Sequence, residues 1–425
     1  MRTLLITLAL GVSAPALAAA PTPEEVAAAA LKAAPVWDGH NDVPEQLRNR
    51  RKNVLAGFDF NNTMNEPGED KWSDHPSGKS DPMQTDLPRL RAGKVGAQFW
   101  SVYVPADLTE PQAVQATLEQ IDVMKRIIAR YPTDLQFCTD SACVESALKA
   151  GRIASLLGME GGHSIGGSLA VLRQMHALGA RYMTLTHMKN NAWADSATDA
   201  PAHNGLTPLG KDMVREMQRL GVLVDLSHVS QKTMLDALEV AGAPVIYSHS
   251  SAQAIDGHAR NVSDAVLDRV KVNGGVVMVN FLPAYIKQAL FLHNVNRAAE
   301  VVRQKALHPD RPDLAEAALA DWDKANPAPA ASTADIADHI DHIAKRIGTD
   351  HVGLGSDYDG GSTGIVGMPD VSSYPALFVE LARRGWAQRD LEKLASRNML
   401  RVLKAAEAYS AAHRADPPLE NATAF

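Results

Sequence analysis

Apolar and polar positions repeat along the chain in one order: a helical period, a stop, a short apolar run and a polar tip. Gly167 to Leu178 has helical period, Gly179 stops it, and Arg181 to Thr186 reads as a strand ending at His187. Thr207-Pro208 opens the next helix as N-cap and first helical residue, Gly221 ends it, and Val222 to Leu226 runs into Ser227-His228. Ser230 caps another helix, Gly242 ends it, and Pro244 to Tyr247 leads to Ser248-His249. Ser263 caps a fourth, Gly274-Gly275 ends it, and Val276 to Val279 leads to Asn280-Phe281. Asp335 to Ile347 follows the same grammar, with Gly348 as the stop and His351 to Gly355 running into Ser356-Asp357.

Helix–strand units in succession imply parallel strands with crossover helices, because parallel neighbours need long connections. Three earlier strands are expected at Pro35 to Asp38, Val95 to Tyr103 and Arg152 to Met159, with a helix over Ala113 to Arg130. Eight strands, apolar on both faces, fit a (β/α)8 TIM-type barrel; an open doubly wound sheet is the alternative. Asn49 to Pro88, rich in Gly, Pro, Asn and Asp, reads as a long loop after the first strand. Pro283 to Thr333, with helical stretches and a Pro-Ala linker, reads as an excursion between the seventh and eighth strands. Residues 21–425 are thus expected to be a single catalytic domain with a helical insertion around 283–333.

Residues 1–20 carry another signal. Arg2, the apolar run Leu4 to Val12 and Ala16-Leu17-Ala18 have the layout of an export signal peptide. The run is too short to span a bilayer; an anchor or a buried helix is the alternative. The C-terminal stretch Leu419 to Phe425 has no hydrophobic segment for a lipid anchor, so a periplasmic or secreted protein without a stable membrane anchor is expected. Lys plus Arg total 42 against 49 Asp plus Glu, for a net charge of -7, and no long basic block exists, which excludes nucleic acid as a partner on electrostatic grounds. Cys138 and Cys143 could close a small disulfide loop in an oxidising compartment or remain two thiols.

The polar residues cluster at the strand tips. The first strand ends Asp38-Gly39-His40-Asn41-Asp42, the third Met159-Glu160-Gly161-Gly162, and later ones end at His187, His228, His249 and Asp357. In a barrel these tips share one rim, the rim where active sites of this fold sit. Imidazole and carboxylate are ligands that zinc accepts. His40, Asp42, Glu160, His228 and His249 exceed the three protein ligands of a single catalytic zinc, which points to two metals sharing a carboxylate. His339 and His342, at i and i+3, read as a solvated helix face, and His75, His163, His176 and His203 show no partner pattern.

These motifs resemble the membrane (renal) dipeptidase family of zinc peptidases. The resemblance rests on Asp38-Gly39-His40-Asn41-Asp42, Gly158-Met159-Glu160-Gly161, Thr184-Leu185-Thr186-His187, Asp225-Leu226-Ser227-His228 and Tyr247-Ser248-His249-Ser250. Ala259-Arg260-Asn261-Val262 and Gly355 to Gly360 complete an ordered set running from about Trp37 to Arg397. The resemblance implies two zinc ions per chain, with His40 and Asp42 on one, His228 and His249 on the other, and Glu160 bridging. Related metal amidohydrolases open with His-x-His and bridge through a modified lysine; His40-Asn41-Asp42 with Glu160 favours the dipeptidase branch.

A dipeptide substrate follows from the resemblance, including dipeptides with a C-terminal D-residue, cleaved by a hydroxide held between the metals. His187 is expected to hydrogen-bond the tetrahedral centre, with a spare ligand or a structural residue as alternatives. Asp357 is expected to move the proton, in competition with Asp359. Arg260 is expected to grip the free carboxylate, although a surface arginine would look the same in sequence. The family's dimers make a homodimer the default. Two-metal hydrolysis of esters, lactones or N-acyl-amino acids is the alternative function.

Overall fold

The computed structural model describes residues 20–66, 81–361 and 364–421. The expected export signal at 1–20 lies outside them apart from Ala20, as does His75. Among the described residues nine strands form, all paired in parallel: β1 (Val36–Asn41), β2 (Val95–Tyr103), β3 (Leu135–Phe137), β4 (Ile153–Glu160), β5 (Ala180–Thr184), β6 (Leu223–Asp225), β7 (Ile246–Tyr247), β8 (Val276–Val279) and β9 (Val352–Leu354). Eight of them close a ring in the order β1, β2, β4, β5, β6, β7, β8, β9 and back to β1. This is the (β/α)8 barrel; the open sheet is excluded by the β1–β9 and β2–β4 pairings. The extra strand β3 pairs with β4 at Ile153 to Ser155, below the stretch from Leu157 onward where β5 takes over the same edge.

Local chemistry sets the helix ends largely as the pattern predicts. Thr207 accepts from the N–H of Gly210, Pro208 occupies the first turn, and Gly221 ends the helix Pro208–Leu220 at φ 80°. Ser332 and Asp335 form a reciprocal cap that starts Thr333–Ile347 two residues earlier than the period suggests. The helix Gln231–Val240 ends differently: Ala241 is extended and Gly242 is not left-handed. Gly242 is there because the Tyr409 ring lies 2.6 Å from where its Cβ would be. The stretch after β1 is not all loop, since Val43–Arg51 is a helix that begins directly after Asp42.

One core cluster fills the barrel interior with Trp37, Phe99, Leu156, Tyr182 and Met278, and a larger one lies between strands and helices. The insertion consists of Pro283–Ile286 and two longer helices, Gln288–Leu307 and Pro312–Ala325, joined by the Arg297–Asp323 ion pair at 2.7 Å. Cys138 and Cys143 are disulfide-bonded with Cα atoms 5.4 Å apart, linking the residue after β3 to the first turn of the helix Ser141–Lys149.

Candidate metal centre

The barrel brings every expected tip residue to one rim. His40 lies in β1, Asp42 directly precedes the following helix without a side-chain capping bond, and Glu160 is the last residue of β4. His187, His228, His249 and Asp357 follow β5, β6, β7 and β9 by two or three residues. His228 and Asp357 adopt φ of 66° and 63°, a conformation uncommon for residues with a Cβ, and it turns their side chains to the site.

Their donor atoms converge. His40 Nε2 is 3.4 Å from Asp42 Oδ2, 3.4 Å from Glu160 Oε2 and 4.0 Å from Asp357 Oδ1. Glu160 Oε1 faces the other way, 2.9 Å from His228 Nε2, 3.4 Å from His249 Nε2 and 3.7 Å from His187 Nε2. Three overlapping donor sets arise: His40 with Glu160 and His249, Glu160 with His187 and His228, and His40 with Asp42 and Asp357.

A lower layer of the barrel holds these groups in place. Asp225 accepts the Ser248 N–H at 2.8 Å, the Ser248 hydroxyl at 2.6 Å and the Thr184 hydroxyl. Ser248 Oγ, its proton given to Asp225, accepts from His249 Nδ1 at 2.8 Å, so the His249 Nε2 lone pair points into the site. Asp38 grips Ser356 in the same manner, at 2.8 Å for the N–H and 2.7 Å for the hydroxyl, and Ser356 precedes Asp357. Tyr182 meets His40 Nδ1 at 2.9 Å, and Ser101 donates to Glu160 Oε2 at 3.1 Å.

The electrostatics reflect crowding of acids and imidazoles out of water. Burial alone would raise the Glu160 carboxyl, but His40, His187 and His228 outweigh it and hold it well below the usual range. Burial disfavours a charged His40, yet Tyr182, Glu160 and Asp42 together push its pKa well up. Burial, with the positive charge of Arg260, holds His228 and His249 well down, as neutral imidazoles suited to ligation. Burial brings His187 down to about 4, and burial plus the neighbouring Asp42 pushes Asp357 well up.

The donor set fits a metal. His40 Nε2 and both Asp42 carboxylate oxygens are buried without a hydrogen-bond partner, which a fold tolerates where a ligand or ion completes the site. Gly360 keeps the same space open, because a Cβ there would lie 2.2 Å from Asp42 Oδ2 and 2.4 Å from Asp357 Oδ1. Imidazoles and carboxylates together are the ligand types that zinc takes.

Beside the cluster lies a cavity of about 360 Å³, lined by Tyr103, Arg260, Tyr285 and Asn294 among others. Arg260 is 1% exposed, so it is no surface arginine. Its guanidinium donates long hydrogen bonds to Ser250 Oγ and the His249 carbonyl at 3.4 Å each and lies against Tyr285, whose ring centre is 5.6 Å away. Asp357 lines the cavity with Oδ2 held by Asn280 Nδ2 at 2.9 Å. Asp359 instead accepts the Gln84 N–H at 2.7 Å and ties loops together. His339 corrects its sequence reading: it is fully buried, accepting the Ala252 N–H at 2.9 Å and donating to the Ile286 carbonyl at 3.2 Å. Tyr103, Tyr285 and Asn280 were given no site role from sequence; Tyr103 and Asn280 stand at expected strand tips, whereas nothing local marks Tyr285.

A closed β/α barrel with imidazoles and carboxylates converging at its C-terminal rim, beside a small cavity, defines a metal-dependent hydrolase. The chain belongs to the membrane dipeptidase family (peptidase family M19), which it matches over residues 24–417, and it is a metallo-dipeptidase. Among solved structures it is similar to the probable dipeptidase PvdM from Pseudomonas aeruginosa, at 23% identity over 91% of this chain and 99% of that one, with a TM-score of 0.74. It is also similar to a metallo peptidase from Rhodobacter sphaeroides liganded with a phosphinate mimic of the dipeptide L-Ala-D-Ala, at 23% identity over 88% and 99%, with a TM-score of 0.68. At these identities the likeness establishes the fold. No helix among the described residues is long and apolar enough to cross a membrane.

Proposed function

We propose that residues 21–425 act as one exported catalytic unit, periplasmic or secreted, which binds two zinc ions and hydrolyses dipeptides, including those with a C-terminal D-residue. His40 and Asp42 would hold one ion and His228 and His249 the other, with Glu160 available to both. The observation that carries this reading is the division of Glu160, with Oε2 toward His40 and Oε1 toward His228 and His249. Zinc bound there supplies Lewis acidity and lowers the pKa of the attacking water.

The chain's own residues do the rest. Arg260 binds the substrate carboxylate through its planar fork, which places the scissile bond over the cluster. His187 donates from Nε2 to the carbonyl oxygen as it gains charge. Asp357, with Oδ2 fixed by Asn280, takes a proton at Oδ1 from the water and delivers it to the leaving nitrogen. The cavity, about 360 Å³, is of a size that suits a small substrate. Acceptance of a C-terminal D-residue is supported by the L-Ala-D-Ala mimic in the Rhodobacter sphaeroides neighbour.

Metal analysis combined with kinetics on L-Ala-L-Ala and L-Ala-D-Ala tests the reading. Two zinc ions per chain and cleavage of both substrates are expected. Zinc-loaded protein that leaves a broad dipeptide panel intact but opens esters, lactones or N-acyl-amino acids would establish the alternative.

A further inference from the structure

Four acids line the cavity: Asp42, Glu45, Glu160 and Asp357. Three of them belong to the converging donor sets, and Glu45 belongs to none. Glu45 stands in the first turn of Val43–Arg51 and is 3% exposed. Its Oε1 accepts from Arg48 Nη2 at 3.1 Å and Asn49 Nδ2 at 3.2 Å, and Arg48 donates from Nη1 to the Tyr103 carbonyl at 2.6 Å. The acid is therefore tied to the tip of β2. Burying a carboxylate is unfavourable, and an apolar residue would pack this helix without that cost.

Glu45 follows β1, and Arg48 ties it to the neighbouring strand β2. Counting β1, β2, β4, β5, β6, β7, β8, β9, strand β2 lies across the barrel from β7, and Arg260 follows β7. The cavity lining thus carries an acid tied through Arg48 to the tip of β2 and a guanidinium from the loop after β7, the strand across the ring. An extended dipeptide spans about 7 Å and carries an ammonium at one end and a carboxylate at the other. With Arg260 on the carboxylate, the ammonium is left for an acid of the lining.

We propose that Glu45 binds the substrate's free α-ammonium, so that the site selects unblocked dipeptides over N-acylated ones; this rests on the dipeptidase reading above. The test compares L-Ala-L-Ala with its des-amino analogue N-propionyl-L-alanine on wild-type protein, Glu45→Gln and Glu45→Asp. Wild type should favour the free dipeptide. E45Q should lower kcat/KM for L-Ala-L-Ala by about 10- to 100-fold, chiefly through KM, as expected for loss of a charged hydrogen bond. It should leave N-propionyl-L-alanine unchanged, which also reports an intact fold, and E45D should restore part of the preference. An equal loss on both substrates, or none on either, would overturn the assignment. Wild-type protein that cleaves N-propionyl-L-alanine as well as L-Ala-L-Ala would overturn it too while sparing the hydrolase itself. Failure to cleave any dipeptide would remove the dipeptidase reading and this assignment together.

Discussion

Two layers of buried carboxylates lie inside this barrel, and they differ in how their oxygens are occupied. In the lower layer each oxygen of Asp38 and Asp225 accepts at least one hydrogen bond, from Ser356, Gln98, Ser248, Thr184 or Ser227. In the rim layer both oxygens of Asp42 and the facing His40 Nε2 have no such partner. An unpaired buried polar atom costs about 1–3 kcal/mol, so the rim carries a penalty that the lower layer avoids. The contrast separates buried polarity that holds the fold from buried polarity that receives something. It also couples them, because Ser248 and Ser356 stand directly before His249 and Asp357 in the chain.

Breaking the rim layer should give the largest effect. Glu160→Gln is expected to lose bound zinc and to lower dipeptide hydrolysis by on the order of 10³-fold or more, equivalent to about 4 kcal/mol of transition-state stabilisation. Elemental analysis decides it: an inactive variant that keeps two zinc ions contradicts the bridging role. Cutting the support below should act more weakly. Ser248→Ala removes both the Asp225 contact and the Nδ1 partner of His249, and should weaken zinc binding by about 10- to 100-fold in a competition titration with a chelator. Unchanged affinity would mean that the lower layer serves folding alone.

Arg260→Ala leaves both layers intact. It should raise KM for dipeptides by about 10- to 100-fold while C-terminal amides respond little, since the charged partner is gone from the substrate. A similar rise for the amides would remove Arg260 from carboxylate recognition. The smallest functional effect is expected at the opposite end of the chain's design, the disulfide. Replacing Cys138 and Cys143 by Ser should cost about 2 kcal/mol of stability for so short a loop and leave kcat/KM unchanged. A fall in turnover would place the β3 turn in contact with the rim after all.

Much of the fold was legible because helix period, caps and stops are local. Thr207-Pro208 to Gly221 and Ser263 to Gly274 read correctly for that reason. The misses have equally physical causes. Strand β3 is three residues long and exists because β4 offers an edge, so no pattern of its own marks it. Val43–Arg51 is too polar to show a period and is a helix because it packs beside β2. His339 sits on a helix face that looks solvated until the Ala252 and Ile286 backbones pack on it.

The sequence by itself determined the order of the parallel strands and which side chains stand at their tips. Those properties depend on neighbours a few residues apart, where periodicity, capping and steric preference act. Which tips converge, that Glu160 turns one oxygen to each side, and that Glu45 and Arg260 line the same cavity were decided only by closure of the barrel. His40 and Tyr182 meet although 142 residues apart, and Asp357 is held by an asparagine 77 residues earlier. Contacts of that span have no local signature, because they follow from the ring order of the strands and the packing of their helices.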